Sequence, residues 1–396
     1  MYINQVKYNR DSWWGYLLTV ILIVPITVVL FSIPHGFILT AKAFGDEELM
    51  AKIASGDMAA MMSVLEPNLN LFLMLLPFVG MLLAVFFSTK IIHKNSIREL
   101  TTSRKKIDWS RVLFAFCLWG SISATMIFLD YNFFTPEDYE WNFKPVPFLI
   151  LCAIVVVLLP IQTSAEEYLF RGYLMQGIGV LSTLKKFILY AVFIIPIYLY
   201  FVFFLLPEFT QYVFINIFGI GIGEIFPQIF YVFVIIISAI YLSKIGDLPF
   251  FKKLYESKFY INLSRLFSRN WLPLIITSLA FGLMHYANPE IAKFGNVVYV
   301  FYIGSGLFAG IMTLMDEGLE LALGWHAANN MVAALLVTAD WTALQTHSLL
   351  KDISNPETMP LGEVLIPVLV FFPAILLIFA NKYNWTDWKG KLFGSI

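Results

Sequence analysis

Ten apolar segments, most of them long enough to cross a lipid bilayer, constrain the fold of this chain more than any other feature. A helix needs about 20 predominantly apolar residues to span the hydrocarbon core. The segments therefore predict an all-α, polytopic membrane bundle of about ten transmembrane helices around a polar intramembrane cavity. They lie at residues 13–33, 71–89, 112–129, 146–164, 187–206, 227–242, 272–287, 297–315, 321–339 and 362–381.

Composition supports an integral membrane protein. The chain is 59% hydrophobic and only 13% charged, whereas a soluble domain carries about 25% charged residues. The net charge is −1, so nothing indicates a nucleic-acid partner. The expected partners are the lipid bilayer and a membrane-associated peptide or protein.

The distribution of basic residues predicts the orientation. Loops 90–111 and 243–271 are rich in Lys and Arg, and loops of this kind lie on the cytoplasmic side. Alternation along ten spans then places both termini in the cytoplasm. The apolar run from Trp13 lacks a small-residue cleavage site and is expected to be a retained span. Since no organelle signal is found, we expect a bacterial plasma membrane protein.

Two adjacent acidic residues near the end of the fourth segment indicate a functional site. Glu167 and Arg171 are four residues apart, so on a helix they share one face and can form an ion pair. Glu166 points about 100° away from Glu167 and stays free for chemistry. Ionisable groups at membrane depth are costly and usually functional. The alternative is a salt-bridged turn at the membrane interface with a snorkelling arginine.

Two histidines in later apolar segments add polar groups to the same region of the sequence. Phe281 and His285 share one helical face, and His326 and Asn330 share another. Polar side chains on an apolar helix must point into protein or a wet cavity. Taken singly, each histidine is also explained as a structural hydrogen-bonding group or an interhelical contact.

Taken together, the three motifs resemble the CAAX protease and bacteriocin-processing (CPBP or Abi) family of intramembrane proteases. That family's signatures are EExxxR, FxxxH and HxxxN. They match Glu166–Arg171, Phe281–His285 and His326–Asn330, and the run from Phe170 to Leu174 is similar to the family's FRGxL. The resemblance covers about residues 146–339.

The resemblance also predicts how the chain is divided. Residues 146–339 are the expected protease core, residues 1–145 form N-terminal transmembrane helices outside it, and residues 340–396 supply a loop and the last helix. The family usually places FxxxH soon after EExxxR. Here Phe281 follows Arg171 by 110 residues, which predicts an insertion at about 187–270.

The resemblance implies hydrolysis of a peptide bond of a membrane-associated peptide or protein. Glu166 is the expected general base and, with His285, activates a water molecule. His326 and Asn330 are the expected hydrogen-bond donors to the tetrahedral oxyanion. Glu167, Arg171 and Phe281 are the expected supporting residues. The eukaryotic branch of the family trims prenylated C-termini, but the sequence does not identify this chain's substrate or its oligomeric state.

Three alternatives stay open at the level of sequence. Glu166, His285 and His326 also form a His2Glu set of the kind that holds catalytic zinc; no cofactor is favoured, because Asn330 is a poor zinc ligand. A non-catalytic membrane scaffold or bacteriocin-immunity protein could keep the same fold. A transporter would show paired broken helices in two halves, and the sequence has no such symmetry.

Overall fold

Helices dominate the part of the chain that the computed structural model describes, which is residues 2–6, 13–54, 58–217, 225–356 and 361–396. A helix satisfies its backbone polar groups within one segment, which a bilayer requires. The first α-helices are α1 Trp13–Leu18, α2 Val24–Ala43, α3 Glu47–Ala54, α4 Met58–Val64, α5 Pro67–Phe87, α6 Ile97–Thr101, α7 Trp109–Leu129, α8 Pro145–Glu167 and α9 Met175–Ser182.

The later α-helices differ more in length. They are α10 Ile195–Tyr200, α11 Leu206–Gln211, α12 Ile225–Ile245, α13 Pro249–Glu256, α14 Lys258–Phe267, α15 Trp271–Leu283, α16 Pro289–Phe294, α17 Val298–Asp316, α18 Glu320–Leu336, α19 Leu361–Ile366, α20 Phe372–Tyr383 and α21 Trp388–Phe393. Wider π-helical turns join several of them into longer rods. These turns are Thr19–Ile23, Ser88–Ile92, Asp130–Phe134, Tyr168–Leu174, Leu189–Ile194, Phe201–Leu205, Tyr212–Ile217 and Pro367–Phe371.

Six continuous helical stretches among the described residues are long and apolar enough to cross a membrane. They are Gly15–Ala43, Pro67–Ile92, Trp109–Phe134, Pro145–Ser182, Pro289–Asp316 and Leu361–Tyr383. Each coincides with one of the ten predicted segments, and the predicted all-α membrane bundle is confirmed. A seventh candidate is the pair Ile229–Ile245 and Pro249–Glu256, which is bent by 51°.

Two of the remaining predicted spans are shorter than expected. Segment 187–206 lies in an unbroken helical run of alternating α- and π-helix from Leu189 to Ile217. Segment 272–287 gives the 13-residue helix α15, and segment 321–339 gives α18, which has 17 residues. Helix α15 ends at Leu283, where a turn leads to α16 at Pro289. Helix α18 ends at Leu336, because the chain continues as a β-strand from Val337. Length of an apolar run alone therefore overstates the number of full spans.

The described residues divide into two compact units. The first contains Met1–Ile178 and Asn270–Gly394, and the second contains Gly179–Arg269 with Ser395–Ile396. Every residue that the sequence analysis assigns to the candidate site lies in the first unit. The second unit overlaps the segment at 187–270, whose status as an insertion stays a prediction.

A small β-sheet in the first unit joins two loops that are far apart in sequence. Its strands are β1 Tyr139–Trp141, β2 Val337–Ala339 and β3 Leu350–Asp352, in the order β1-β3-β2. Strand β3 runs antiparallel to β1 and parallel to β2. Strands of three residues are too short to show the alternating pattern from which a strand is predicted, so this sheet cannot be predicted from the sequence pattern.

Helix α18 is the central element of the first unit. It packs against α7, α8 and α17, and an aromatic cluster that includes Trp119, Phe308, Trp325 and Phe372 surrounds it. The rings of Phe308 and Phe372 stack with their centroids 4.5 Å apart. This packing fixes the rotation of α18 and so determines where its polar residues point.

Buried charges anchor the start of α18. The guanidinium of Arg104 lies 2.9 Å from the carboxylate of Asp316 and 3.2 Å from that of Glu320. Arg111 also pairs with Asp316, and the side chain of Glu320 is fully buried. The basic segment that precedes α7 is thereby tied to the turn between α17 and α18.

A close approach of α7 and α18 depends on Gly324. A Cβ atom at Gly324 would lie 2.0 Å from the carbonyl oxygen of Val112, whereas one at Gly120 would lie 3.8 Å from its nearest neighbour, Ala328. We expect Gly324→Ala to lower the free energy of unfolding by about 1–3 kcal/mol through overpacking. Gly120→Ala, in the same pair of helices, should be neutral or stabilising. Unfolding in detergent measures both, and equal stabilities would contradict the close approach.

Candidate active site

The acidic motif lies where α8 passes into a π-helical turn. Glu167 ends α8, and Arg171 belongs to the following turn, Tyr168–Leu174. The Nη1 atom of Arg171 lies 3.1 Å from Oε1 of Glu167, and both side chains are fully buried. The ion pair that the four-residue spacing predicts is therefore present. Such π-helical turns inside longer helices often occur at functional sites.

His326 lies between the two carboxylates of the motif. Its Nδ1 is 2.8 Å from Oε1 of Glu167, and its Nε2 is 3.6 Å from Oε2 of Glu166. Because an ionised carboxylate only accepts hydrogen bonds, Nδ1 of His326 donates to Glu167. The second contact is longer than a hydrogen bond, so Nε2 faces Glu166 without bonding to it.

The Oε2 atom of Glu166 is buried and has no hydrogen-bond partner among the described residues. Its other oxygen, Oε1, accepts a 2.6 Å hydrogen bond from Nε2 of Gln162. A buried carboxylate oxygen without a partner is costly. Unpaired polar atoms of this kind call for an explanation, and here the atom faces the imidazole of His326.

The ring of Phe281 connects the three motifs. Its centroid lies 4.9 Å from that of His285 and 5.9 Å from that of His326. The guanidinium carbon of Arg171 lies 4.1 Å from the same centroid, which is within the range of a cation–π contact. Residues that are more than 150 positions apart in sequence thus meet around one aromatic ring.

His285 lies in the turn that follows α15 and not within a long span. Its Nδ1 donates to the carbonyl oxygen of Phe281 at 2.8 Å, since a carbonyl can only accept. In the neutral ring Nε2 is then an acceptor. The ring also stacks on Tyr302, with centroids 4.1 Å apart and an interplanar angle of 17°.

Two residues at the site were missed by the sequence analysis. Gln162 lies one helical turn before Glu166 and accepts a 2.9 Å hydrogen bond from Nδ2 of Asn330. A polar residue four positions before Glu166 in an apolar segment was a usable signal for it. Tyr302 lies on α17 and stacks on His285 in the turn after α15, and nothing in its local sequence distinguishes it from other tyrosines.

Two observations on the histidines and their neighbours bear on the zinc alternative. Both histidines donate from Nδ1 to an oxygen and leave Nε2 directed elsewhere, as metal-binding histidines do. Among the described residues, however, no three His, Cys, Asp or Glu side chains are arranged to hold a metal ion. The donor chemistry of Glu166, His285 and His326 suits zinc, and the choice between a metal-dependent and a metal-free site stays a prediction.

Comparison with known proteins agrees with the resemblance that the motifs indicate. Residues 257–332 match the model of the family described as type II CAAX prenyl endopeptidase Rce1-like. The matched stretch contains Phe281–His285 and His326–Asn330, while Glu166–Arg171 lies outside it. The predicted resemblance to CAAX-type proteases is confirmed, and this match indicates a membrane-embedded protease.

A curated relative covers far more of the chain. The uncharacterized protein YyaK of Bacillus subtilis (strain 168) is 22% identical over 327 residues, which are 82% of this chain and 78% of that protein. No solved structure shows significant similarity. The similarity to YyaK thus extends beyond the stretch that the family model matches, but it carries no function with it.

Proposed function

We propose that this chain is an intramembrane endopeptidase that hydrolyses a peptide bond of a membrane-associated peptide or protein with a water molecule activated by Glu166. The observation that supports this proposal best is the unpartnered, buried Oε2 of Glu166, which faces His326 where the three motifs meet. An unpaired carboxylate oxygen at this place can accept a hydrogen bond from a bound water molecule, as a general base must.

Activation of water uses Glu166 and His285. A water molecule next to Oε2 of Glu166 donates one hydrogen bond to that oxygen and the other to Nε2 of His285, which is an acceptor because Nδ1 donates to Phe281. The water oxygen attacks the carbonyl carbon of the substrate while Glu166 takes its proton. General base catalysis of this kind contributes about 100- to 10,000-fold.

The developing oxyanion is stabilised by His326 and Asn330. In its doubly protonated form, His326 donates from Nδ1 to Glu167 and from Nε2 to the oxyanion. One N–H of the Asn330 amide bonds to Gln162, and the second is available to the same oxyanion. Loss of one such donor typically lowers the rate about 100- to 1000-fold.

Collapse of the tetrahedral intermediate completes the reaction. The carbon–nitrogen bond breaks, and the proton held by Glu166 passes to the leaving nitrogen. The products are a new amine and a new carboxylic acid, which releases its proton to solvent and becomes a carboxylate, and the protein returns to its starting state. Glu167, Arg171 and Phe281 do not take part in proton transfer in this scheme. They hold the ring of His326 in the orientation that the reaction needs.

The experiment is cleavage of a panel of membrane-anchored peptides, prenylated and unprenylated, by the purified protein in proteoliposomes. We expect cleavage by the wild-type protein, its loss in His326→Ala, and no effect of a strong chelator. Inhibition by chelator that zinc reverses would instead assign Glu166, His285 and His326 to a metal, which would acidify the water and polarise the carbonyl. Absence of cleavage across the panel would favour the scaffold or immunity alternative.

The location and orientation are also proposals. We propose a bacterial plasma membrane with both termini and the basic loops 90–111 and 243–271 on the cytoplasmic side. Single cysteines introduced at the exposed positions Lys106 and Glu137, in a variant without Cys117 and Cys152, should react with an impermeant reagent from opposite sides. Labelling of both from the same side would contradict the orientation.

A further inference from the structure

An unbroken chain of hydrogen bonds runs from α7 through α18 to the carboxylate on α8. Nε1 of Trp119 donates to Oδ1 of Asn329 at 3.1 Å, and Nδ2 of Asn329 donates to Oδ1 of Asn330 at 3.1 Å. Nδ2 of Asn330 donates to Oε1 of Gln162 at 2.9 Å, and Nε2 of Gln162 donates to Oε1 of Glu166 at 2.6 Å. We refer to these five residues as the relay.

The two ends of the relay fix its direction. An indole N–H can only donate, and an ionised carboxylate can only accept. Between them stand three amides, each of which accepts at its oxygen and donates from its nitrogen. If any one amide were turned over, two N–H groups or two oxygens would face each other. The assignment of oxygen and nitrogen in all three amides therefore follows from the ends of the relay, which removes the usual ambiguity of amide orientation.

The relay has two consequences for the candidate site. The bond from Gln162 occupies Oε1 of Glu166 and leaves Oε2 as the free oxygen that faces His326. The direction of the relay also presents the nitrogen of Asn330, and not its oxygen, on the side of Gln162 and Glu166. Both features are what a general base and an oxyanion donor require.

The relay is largely buried. The exposed fractions are 6% for Trp119, 7% for Gln162 and 8% for Glu166. In such surroundings hydrogen bonds are stronger than in water, and successive bonds polarise one another. A substitution of Trp119 can therefore change the hydrogen bonding and orientation of Glu166. Trp119 itself contacts neither Glu166 nor the expected position of a substrate.

We propose that Trp119, Asn329 and Gln162 are positioning residues, which orient Glu166 and Asn330 for the reaction through this relay. The inference rests on the proposed function for its effect on catalysis, but the relay itself can be tested without catalysis. It also assigns a role at the site to α7, a helix that the sequence analysis places outside the protease core.

A matched pair of tryptophans provides the first test. Trp119→Phe and Trp325→Phe remove the same N–H and the same volume from neighbouring rings, whose centroids are 6.2 Å apart. Nε1 of Trp325 is buried and has no partner among the described residues. We expect Trp119→Phe to lower kcat about twofold to tenfold at unchanged KM, the effect of one neutral hydrogen bond. Trp325→Phe removes no bond of the relay and should lower kcat by a smaller factor than Trp119→Phe.

Gln162→Glu provides a second test, through its pH profile. In this variant a protonated carboxyl group at position 162 can still accept from Asn330 and donate to Glu166, whereas the ionised carboxylate cannot donate and repels the neighbouring charge. We expect the variant to approach wild-type kcat at acidic pH and to lose at least tenfold as pH rises. Gln162→Leu, which cannot donate at any pH, should be impaired throughout. A purely structural role of Gln162 would leave the pH profile of Gln162→Glu parallel to that of the wild type.

The indole N–H resonance of Trp119 in 15N-labelled protein provides a readout independent of activity. It is assigned by its loss in Trp119→Phe and should shift in Gln162→Leu, while the Trp325 resonance should not. An unmoved Trp119 resonance, or equal kcat values for the two Trp→Phe variants, would overturn the relay. If the wild type cleaves nothing but the resonance shifts, the proposed function fails and the relay stands.

Discussion

Replacing Glu166 with glutamine is expected to lower kcat by about 100- to 10,000-fold with little change in KM. The amide has the shape of the carboxylate and can still accept from Gln162, but it cannot take a proton from water. Stability should stay equal or rise, because the substitution removes a buried charge whose Oε2 has no partner in the described part of the chain. A substitution that lowers activity without lowering stability indicates that the replaced group is functional.

The measurement is steady-state cleavage of a membrane-anchored peptide in proteoliposomes, paired with thermal unfolding of the same preparations. Glu140→Gln makes the same chemical change at an exposed position of β1 and should leave kcat unaltered. A Glu166→Gln variant that keeps more than about one tenth of the wild-type rate would contradict general base catalysis by this residue.

Arg171→Met is expected to lower the free energy of unfolding by about 3–5 kcal/mol. The substitution leaves the carboxylate of Glu167 fully buried without its cation, and removing one partner of a buried pair is costly for this reason. The loss of the contact between Arg171 and the ring of Phe281 adds to the effect. Activity should fall as well, because Glu167 holds Nδ1 of His326.

The pair of Lys52 and Glu48 provides the control. It has the same spacing of four residues, but the two side chains are 49% and 81% exposed. Lys52→Met should therefore change stability by less than about 0.5 kcal/mol. In the double variant Glu167→Gln/Arg171→Met much of the loss should be recovered, since neither member of the pair is then left as a buried charge without its partner. Similar stabilities of Arg171→Met and Lys52→Met would contradict the structural role given to the buried pair.

Contacts within one helix could be predicted from the sequence. The ion pair of Glu167 and Arg171 follows from a spacing of four residues and is present. The same argument left Glu166 free for chemistry, and its Oε2 has no partner among the described residues. Spacing on one helix determines which side chains share a face, and that information is local.

Contacts between helices could not be predicted in the same way. The bond between His326 and Glu167 joins positions 159 residues apart, and that between Asn330 and Gln162 joins positions 168 apart. Both depend on the rotation of α18 against α8, which packing around Trp325 and Gly324 sets. The four-residue spacing accordingly predicts only Arg171 as the partner of Glu167, although the same oxygen also accepts from His326.

The fold shows the same division between local and non-local information. The hydropathy pattern predicts ten apolar segments, and one of them, 272–287, includes His285. In the structure α15 has 13 residues, about 20 Å of helix, and His285 lies in the turn beyond it. This turn places His285 against the rings of Phe281 and Tyr302.

The most direct test of the central claim is to follow the oxygen of water into the product. Wild-type protein in proteoliposomes is given a membrane-anchored peptide substrate in water enriched in 18O, and the fragments are weighed by mass spectrometry. If Glu166 activates water for direct attack, a single turnover should place one 18O atom in the new carboxylate, and Glu166→Gln should give neither fragment nor label. Cleavage that proceeds equally well in Glu166→Gln, or fragments without 18O, would contradict the account.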